Sequence, residues 1–257
     1  ALIGRHAHVK VIVHAHNTQA NIGSMPSAVL RASRYAMTRN SDLRLACSRH
    51  AGEWVFGPKA NFELFHNTIQ LGDYAFDPAA RSALRSELGI GEDAYVVGIV
   101  GRLVEQKNHA FMLRAFARLQ QMRPSARLVI VGEGPLEADM RNLAERLGCA
   151  DATMFLGQRD NVARLYSAFD CLCVPSLWEG FSFVTLEAQA SGLPCAVSDA
   201  VPPEAYVTSL VEGPLHLSED LWASRLAEFV DSGRSRHALA GNDLKAMRPF
   251  DARDAAE

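Results

Sequence analysis

The stretch "DCLCVPSLWEGFSFVTLEAQASGLPCAVSD", residues 170–199, decides the architecture of this chain. It opens on a short apolar run, "DCLCVPS", and passes through a Gly- and Ser-containing turn. It continues as a short apolar helix, "VTLEAQASG", and ends on a second apolar run, "PCAVSD". Two strand-length runs joined through a helix form a βαβ unit, and that unit demands parallel strands. Cys171 and Cys173 alternate along the first run and are expected on one face of its strand. The stretch also holds two glutamates, Glu179 in the turn and Glu187 inside the helix. A core-facing helix position rarely takes a carboxylate, so Glu187 asks for an explanation.

The same alternation runs outward from there. Towards the N-terminus, "AYVVGIVG", "ARLVIVG" and "TMFLG" read as strands, and "NHAFMLRAFARLQQM", "PLEADMRNLAERLG" and "NVARLYSAF" as helices. Towards the C-terminus, "SEDLWASRLAEFVDS" and "SRHALAGNDLKAM" read as two further helices. Residues 94–235 are therefore expected to form a doubly wound parallel α/β lobe, with residues 236–257 as C-terminal helices that return towards the first lobe. Before it, "QLGDYAFDPAARSALRSELGIGEDA" is polar and carries four glycines and prolines around one helix, about Pro78 to Leu88. Residues 76–93 read as a linker. Residues 1–75 hold the strands "VKVIVHAH" and "LRLACS", the helices "SAVLRASRYAMTRN" and "RHAGEWVFG", and a strand within "ANFELFHNTI". That is short for a Rossmann-like lobe, which usually takes about 100–150 residues, so the first lobe is expected to be incomplete at its N-terminus.

Bulk properties exclude several classes. The chain has 257 residues, 48% hydrophobic and 21% charged, with a formal net charge of −3. Nothing there resembles a nucleic-acid-binding surface. No apolar run approaches the ~20 residues of a spanning helix. The five cysteines, Cys47, Cys149, Cys171, Cys173 and Cys195, follow no metal or redox spacing and read as buried reduced thiols of a cytoplasmic protein.

In an open α/β sheet, ligands bind beyond the carboxyl ends of the strands. Four segments there carry chemistry. In "GIVGRLVEQKN", Gly101 and Arg102 end a strand and Lys107 precedes the next helix. Two cations in one loop either reach the same anion, as a planar fork and a point charge, or are unrelated surface groups. In "VGEGPLEADM", Gly132 and Gly134 flank Glu133, with Pro135 expected at the first helical position. This is either a backbone poised to approach a ligand or an ordinary tight turn. Ser182, Phe183, Val184 and Thr185 begin a helix after the Gly180–Phe181 turn, and a helix start offers free amides to a phosphate. Glu187, one turn in, either complements the helix dipole or accepts hydrogen bonds from the ribose of a nucleotide whose diphosphate sits on those amides. In "VIVHAHNT", His14 and His16 share one side of a strand. They could pair on a metal, but no third ligand motif is near. A strand-end histidine beside a reacting group and a satisfied core histidine both fit better.

Taken in order and spacing, "GRLVEQKN", "LVIVGEGP" and "PSLWEGFSFVTLEAQASGLP" resemble the retaining GT-B glycosyltransferases of family 4, and in particular bacterial enzymes of capsular and extracellular polysaccharide assembly. That family carries a glutamate, seven residues and a second glutamate, matched by Glu179 and Glu187. "HAHNT", "LACSRHAGEWVFG" and "FHNTI" extend the likeness into the first lobe. The resemblance implies two Rossmann-like lobes with a cleft between them. The C-terminal lobe would hold a UDP- or GDP-linked sugar, and the N-terminal lobe a glycan or polyprenyl-linked acceptor, with peripheral contact at the inner membrane face. It implies that Arg102 and Lys107 bind the diphosphate, together with the amides of Ser182, Phe183 and Val184. Gly101, Gly132, Glu133, Gly134, Gly180 and Phe181 would complete the donor site. Glu187 would meet the ribose, and Glu179 and His16 the transferring hexose. No metal or other cofactor is implied. Two departures stand out. The family often has Asn-Gly where this chain has Asn67-Thr68, and the first strand of its N-terminal lobe, with a Gly-rich loop, is not in this sequence. A nucleotide-sugar-binding fragment without turnover and a GT-B nucleotide-sugar epimerase are the competing readings.

Overall fold

The computed structural model describes residues 9–18, 27–231 and 238–253. The first lobe contains β1 (Ile12–Ala15), α1 (Ser27–Arg39), β2 (Leu43–Ala46), α2 (Arg49–Phe56) and the two-residue β3 (Glu63–Leu64). Its strands pair in the order β1-β2-β3, all parallel. Ser48 starts α2 sharply because its side chain accepts from the Ala51 amide.

The second lobe is a six-stranded sheet of β4 (Val96–Val100), β5 (Arg127–Val131), β6 (Thr153–Phe155), β7 (Cys171–Val174), β8 (Cys195–Ser198) and β9 (Val211–Leu215). The order is β6-β5-β4-β7-β8-β9, parallel throughout. The chain winds outward from β4 to one edge, crosses back, and winds to the other edge. The order reverses between β4 and β7, and a crevice opens there beyond the strand ends. Helices cover both faces, as a buried parallel sheet requires. On one face α4 (His109–Met122), α5 (Glu137–Arg146) and α8 (Glu219–Asp231) pack over Ile99, Leu128, Cys171 and Cys173. On the other, α6 (Val162–Ala168) and α7 (Phe183–Ala190) pack over Val129, Leu172 and Val174. Cys171 and Cys173 thus share a face as the alternation requires, and all five cysteines are buried free thiols.

Residues 76–93 hold α3 (Pro78–Glu87), started by Asp77, whose side chain accepts from the Ala79 and Ala80 amides. This helix lies on the second lobe. Arg85 is fully buried and pairs with Asp170 at 2.5 Å, and Arg81 pairs with the other oxygen of Asp170 at 2.5 Å. Past α8, α9 (Gly241–Met247) leads to a tight turn whose Phe250 carbonyl accepts from the Ile69 amide at 2.9 Å.

Three expectations change. Pro135 is not the first residue of its helix, since α5 begins at Glu137. The turn before α5 is tied to the loop after β4, where the Leu136 amide donates to Leu103 O at 3.2 Å. The expected helix 235–247 contracts to α9; residues 238–240 are not helical and 235–237 lie outside the described residues. Strand β9 was not anticipated, because Gly213 and Pro214 interrupt its apolar pattern; as an edge strand it tolerates a proline.

Candidate functional site

The site is built on the loops that leave β4 and β7, the two strands that flank the order reversal. After β4 the loop turns through Glu105–Lys107 into α4. After β7 it runs through Ser176 to Gly180 into α7. These loops meet in an ion pair, Lys107 Nζ to Glu179 Oε1, at 2.6 Å. Ser176 Oγ donates to the same oxygen at 2.8 Å, and Glu179 is buried. The carboxylate is therefore fixed on one oxygen, and the ammonium keeps further donors for a second anion.

The next feature is the start of α7. Ser182 precedes it with φ 86° and ψ 79°, a left-handed conformation that non-glycine residues seldom adopt. Its hydroxyl pairs with the Thr185 hydroxyl at 2.7 Å instead of capping the helix. The first amides of α7 are thus left without a side-chain partner, pointing the positive end of the helix into the crevice.

A cavity of about 290 Å³ joins these parts. The second lobe lines it with Lys107, Glu179 and the segment from Gly180 to Val184. The first lobe lines it with His16, Asn17 and Asn67. The lobes touch tightly at its floor. A Cβ on Gly180 would stand 1.8 Å from the His16 carbonyl oxygen, so only glycine fits. Ser48 Oγ donates to Gly180 O at 2.6 Å, and Thr18 Oγ1 to Glu179 O at 2.9 Å. The His14 and His16 rings lie 4.0 Å apart, tilted by 47°. Burial, and then the neighbouring His16, push the His14 imidazole below its ordinary range.

The remaining predicted residues lie around this cavity. Arg102 is exposed and lines a neighbouring cavity of about 360 Å³ with Gly101, Gly132 and Glu133. Gly132 and Gly134 make a close approach, but to protein: their Cβ atoms would meet Gly101 O at 2.1 Å and Leu103 O at 2.4 Å. Glu187 does not line the central cavity. Its Oε1 accepts from Tyr74 OH at 3.2 Å and its Oε2 from Tyr166 OH at 2.6 Å. Burial and Glu187 push Tyr74 up to about 12 and Tyr166 well above its ordinary value, so both phenols are donors at neutral pH. On the far side of Glu179, a cavity of about 490 Å³ lies between Trp54, Arg34 and His50 of the first lobe and Trp178 and Asp199 of the second.

The sequence profile of "Glycosyl transferases group 1" matches residues 80–245. The chain is 33% identical over 257 residues to EpsF of Bacillus subtilis (strain 168), covering 96% of this chain and 67% of that one. The chain belongs to the group 1 glycosyltransferases. It is also 35% identical over 189 residues to a D-inositol 3-phosphate glycosyltransferase of Actinosynnema mirum, covering 68% of this chain and 45% of that one. Among solved structures, Anabaena HepE in complex with UDP superposes with a TM-score of 0.78 at 22% identity, over 99% of this chain and 70% of that one. HepE in complex with UDP-glucose gives 0.74 at 20% identity, over 99% and 69%. The fold of this family member is GT-B, with two Rossmann-like lobes.

Three partners in this group 1 chain escaped the sequence. Asn67 stands out in the sequence only as a departure in a turn; it is buried, and its Nδ2 has no hydrogen-bond acceptor among the described residues. Tyr74 and Tyr166 sit in a polar segment and an ordinary amphipathic helix, with no spacing that ties them to Glu187. Among the described residues no cluster of three or more His, Cys, Asp or Glu could hold a metal, and no helix is long and apolar enough to cross a membrane.

Proposed function

We propose that this chain transfers a hexose or N-acetylhexosamine from a UDP- or GDP-linked sugar to a glycan or lipid-linked acceptor. The transfer retains the anomeric configuration, as in family 4, and serves bacterial polysaccharide assembly, capsular or extracellular. The observation that carries this reading is the central cavity, where His16 of one lobe faces Lys107, Glu179 and the uncapped start of α7 from the other. HepE, of the same fold, is solved with UDP and with UDP-glucose, which supports a nucleotide-sugar donor.

In this reading the diphosphate lies on the amides of Ser182, Phe183 and Val184, with Lys107 and Arg102 beside it. As the bond from the anomeric carbon to the phosphate oxygen breaks, negative charge grows on the leaving diphosphate. The α7 amides and the Lys107 ammonium, held beforehand by the helix and by Glu179, stabilise it without reorganising. No metal or other cofactor is needed for that task. Glu179, with one oxygen fixed by Lys107 and Ser176, presents the other to the hexose, and His16 faces the same sugar. Gly101, Gly132 and Glu133 face the nucleoside side. The cavity between Trp54 and Trp178 receives the acceptor. Its carboxylates, Glu53, Glu179 and Asp199, outnumber Arg34 and His50, which suits a hydroxyl-rich sugar better than a phosphate. The protein works in the cytoplasm, peripheral to the membrane where its acceptor is lipid-linked.

A thermal-shift screen across nucleotide sugars tests the reading. One donor should raise the melting temperature and name the base, since a ligand that binds only the native state stabilises it. The raised temperature should persist in EDTA. A protein that no nucleotide or nucleotide sugar stabilises would overturn the reading. Stabilisation without transfer to any glycan would assign a binding role instead.

A further inference from the structure

Glu187 is the site residue whose surroundings the proposed function leaves unexplained. It is a half-buried carboxylate with no ion-pair partner among the described residues. Each oxygen accepts one phenol: Oε1 from Tyr74 at 3.2 Å, Oε2 from Tyr166 at 2.6 Å. The two rings lie 6.1 Å apart. Tyr166 projects from α6 and is fully buried, whereas Tyr74 ends the short turn that links the first lobe to α3. Two tyrosines from separate elements thus converge on one carboxylate.

A carboxylate has about four lone-pair sites. Two donors, one per oxygen, use half of them and leave one on each oxygen. They also fix the plane of the group, which an unrestrained glutamate lacks. Glu187 is partly exposed, and two free lone pairs on a fixed fork match two neighbouring hydroxyls. That is the vicinal diol of a ribose, and a 2′-deoxyribose offers only half of it. We propose that Tyr74 and Tyr166 are positioning residues that hold the Glu187 carboxylate as a bidentate acceptor for the ribose 2′- and 3′-hydroxyls, so that this pair sets the preference for ribonucleotide over deoxyribonucleotide donors. The inference rests on the proposed nucleotide-sugar reading and adds the origin of its sugar selectivity.

Burial and the neighbouring carboxylate keep both phenols protonated across the neutral range, so the clamp does not switch with pH there. Because Tyr74 lies in the segment between the first lobe and α3, the same hydrogen bond ties Glu187 to that segment.

Calorimetric titration of UDP, GDP and their 2′-deoxy forms into the wild type, Tyr74→Phe and Tyr166→Phe decides the matter. The wild type should prefer the ribonucleotide by about 10–100-fold, the range for hydrogen bonds to a charged group. Each phenylalanine variant should reduce that ratio at least about fivefold, leaving affinity for the 2′-deoxynucleotide within about twofold of wild type. Tyr74→Phe removes only a half-buried hydroxyl and serves should Tyr166→Phe fail to fold. A wild-type ratio kept in the variants, or equal weakening of both nucleotides, overturns the proposal and leaves the tyrosines a bolt between α6, α7 and the crossing segment. A wild type that binds neither UDP nor GDP overturns the nucleotide reading itself, and this inference with it.

Discussion

Glu179 and Glu187 are eight residues apart but have opposite surroundings: the first faces a cation, the second two neutral phenols. Their substitutions should therefore differ. Glu187→Ala and Lys107→Ala are each expected to weaken UDP or GDP binding by roughly 10–100-fold in calorimetry, the scale of a charge-assisted hydrogen bond. Glu179→Ala should leave free-nucleotide binding unchanged or slightly tighter, because it releases the Lys107 ammonium from its partner, while sugar transfer falls. Loss of nucleotide binding in Glu179→Ala would refute that division of roles. His109, the first residue of α4, is buried with no partner for either ring nitrogen among the described residues. Burial, and then Lys107, push its imidazole down to about 4. Such a histidine is neutral in the fold and charges on unfolding. Its contribution to stability is full above about pH 6.5 and is lost as pH falls towards about 4, amounting to about 3 kcal/mol. Urea denaturation of His109→Leu should show a shallower loss of stability than wild type between those pH values; parallel curves would remove His109 as the cause. Arg102, Lys107 and Glu179 stand out in the sequence as charged residues after strand ends, and Glu187 as a carboxylate inside an apolar helix. Tyr74 and Tyr166 were not, because a tyrosine in an amphipathic helix looks the same whether or not a carboxylate meets it.

At the scale of elements, α3 is the instructive case. Its glycine-flanked, polar segment has the texture of a linker, yet the helix is bolted to the second lobe through Arg81, Arg85 and Asp170. Arg85 also donates to the carbonyls of Ala168, Glu92 and Ala94, and Asp170 Oδ2 accepts from the Val96 amide at 2.7 Å. One carboxylate thus ties α3 to the starts of β4 and β7. Asp170→Ala leaves a buried guanidinium without its anion, and should cost about 3–5 kcal/mol in chemical denaturation. A loss under about 1 kcal/mol would mean that the carbonyls alone suffice. Periodicity predicted the helix itself; its docking depends on a carboxylate more than eighty residues away, which no local pattern reports.

At the scale of the molecule, the central cavity exists only because the lobes touch. The Gly180 backbone lies against the His16 carbonyl, and the Arg49 amide donates to Glu204 Oε1 at 2.7 Å. The C-terminal turn returns to the first lobe at Ile69, and Phe250 stacks 6.5 Å from Phe181 beneath the site. Gly180→Ala introduces a methyl where no space exists, so the lobes must part. Transfer is expected to fall at least tenfold while UDP or GDP still binds the second lobe, and small-angle scattering should show a larger radius of gyration. Unchanged activity and size would show that the contact is not required.

The strands and most helices, the parallel doubly wound lobe, and the loops that carry charge are written in local sequence. These follow from side-chain period, turn residues and helix starts, all set by neighbours within a few positions. The partnerships arise only in the folded chain. Lys107 meets Glu179 across 72 residues, because the order reversal between β4 and β7 brings their loops into one crevice; Tyr74 meets Glu187 across 113, because the turn that ends at Tyr74 packs on α7. Those contacts are fixed by packing of the whole sheet and its helices, and packing over such distances leaves no local trace.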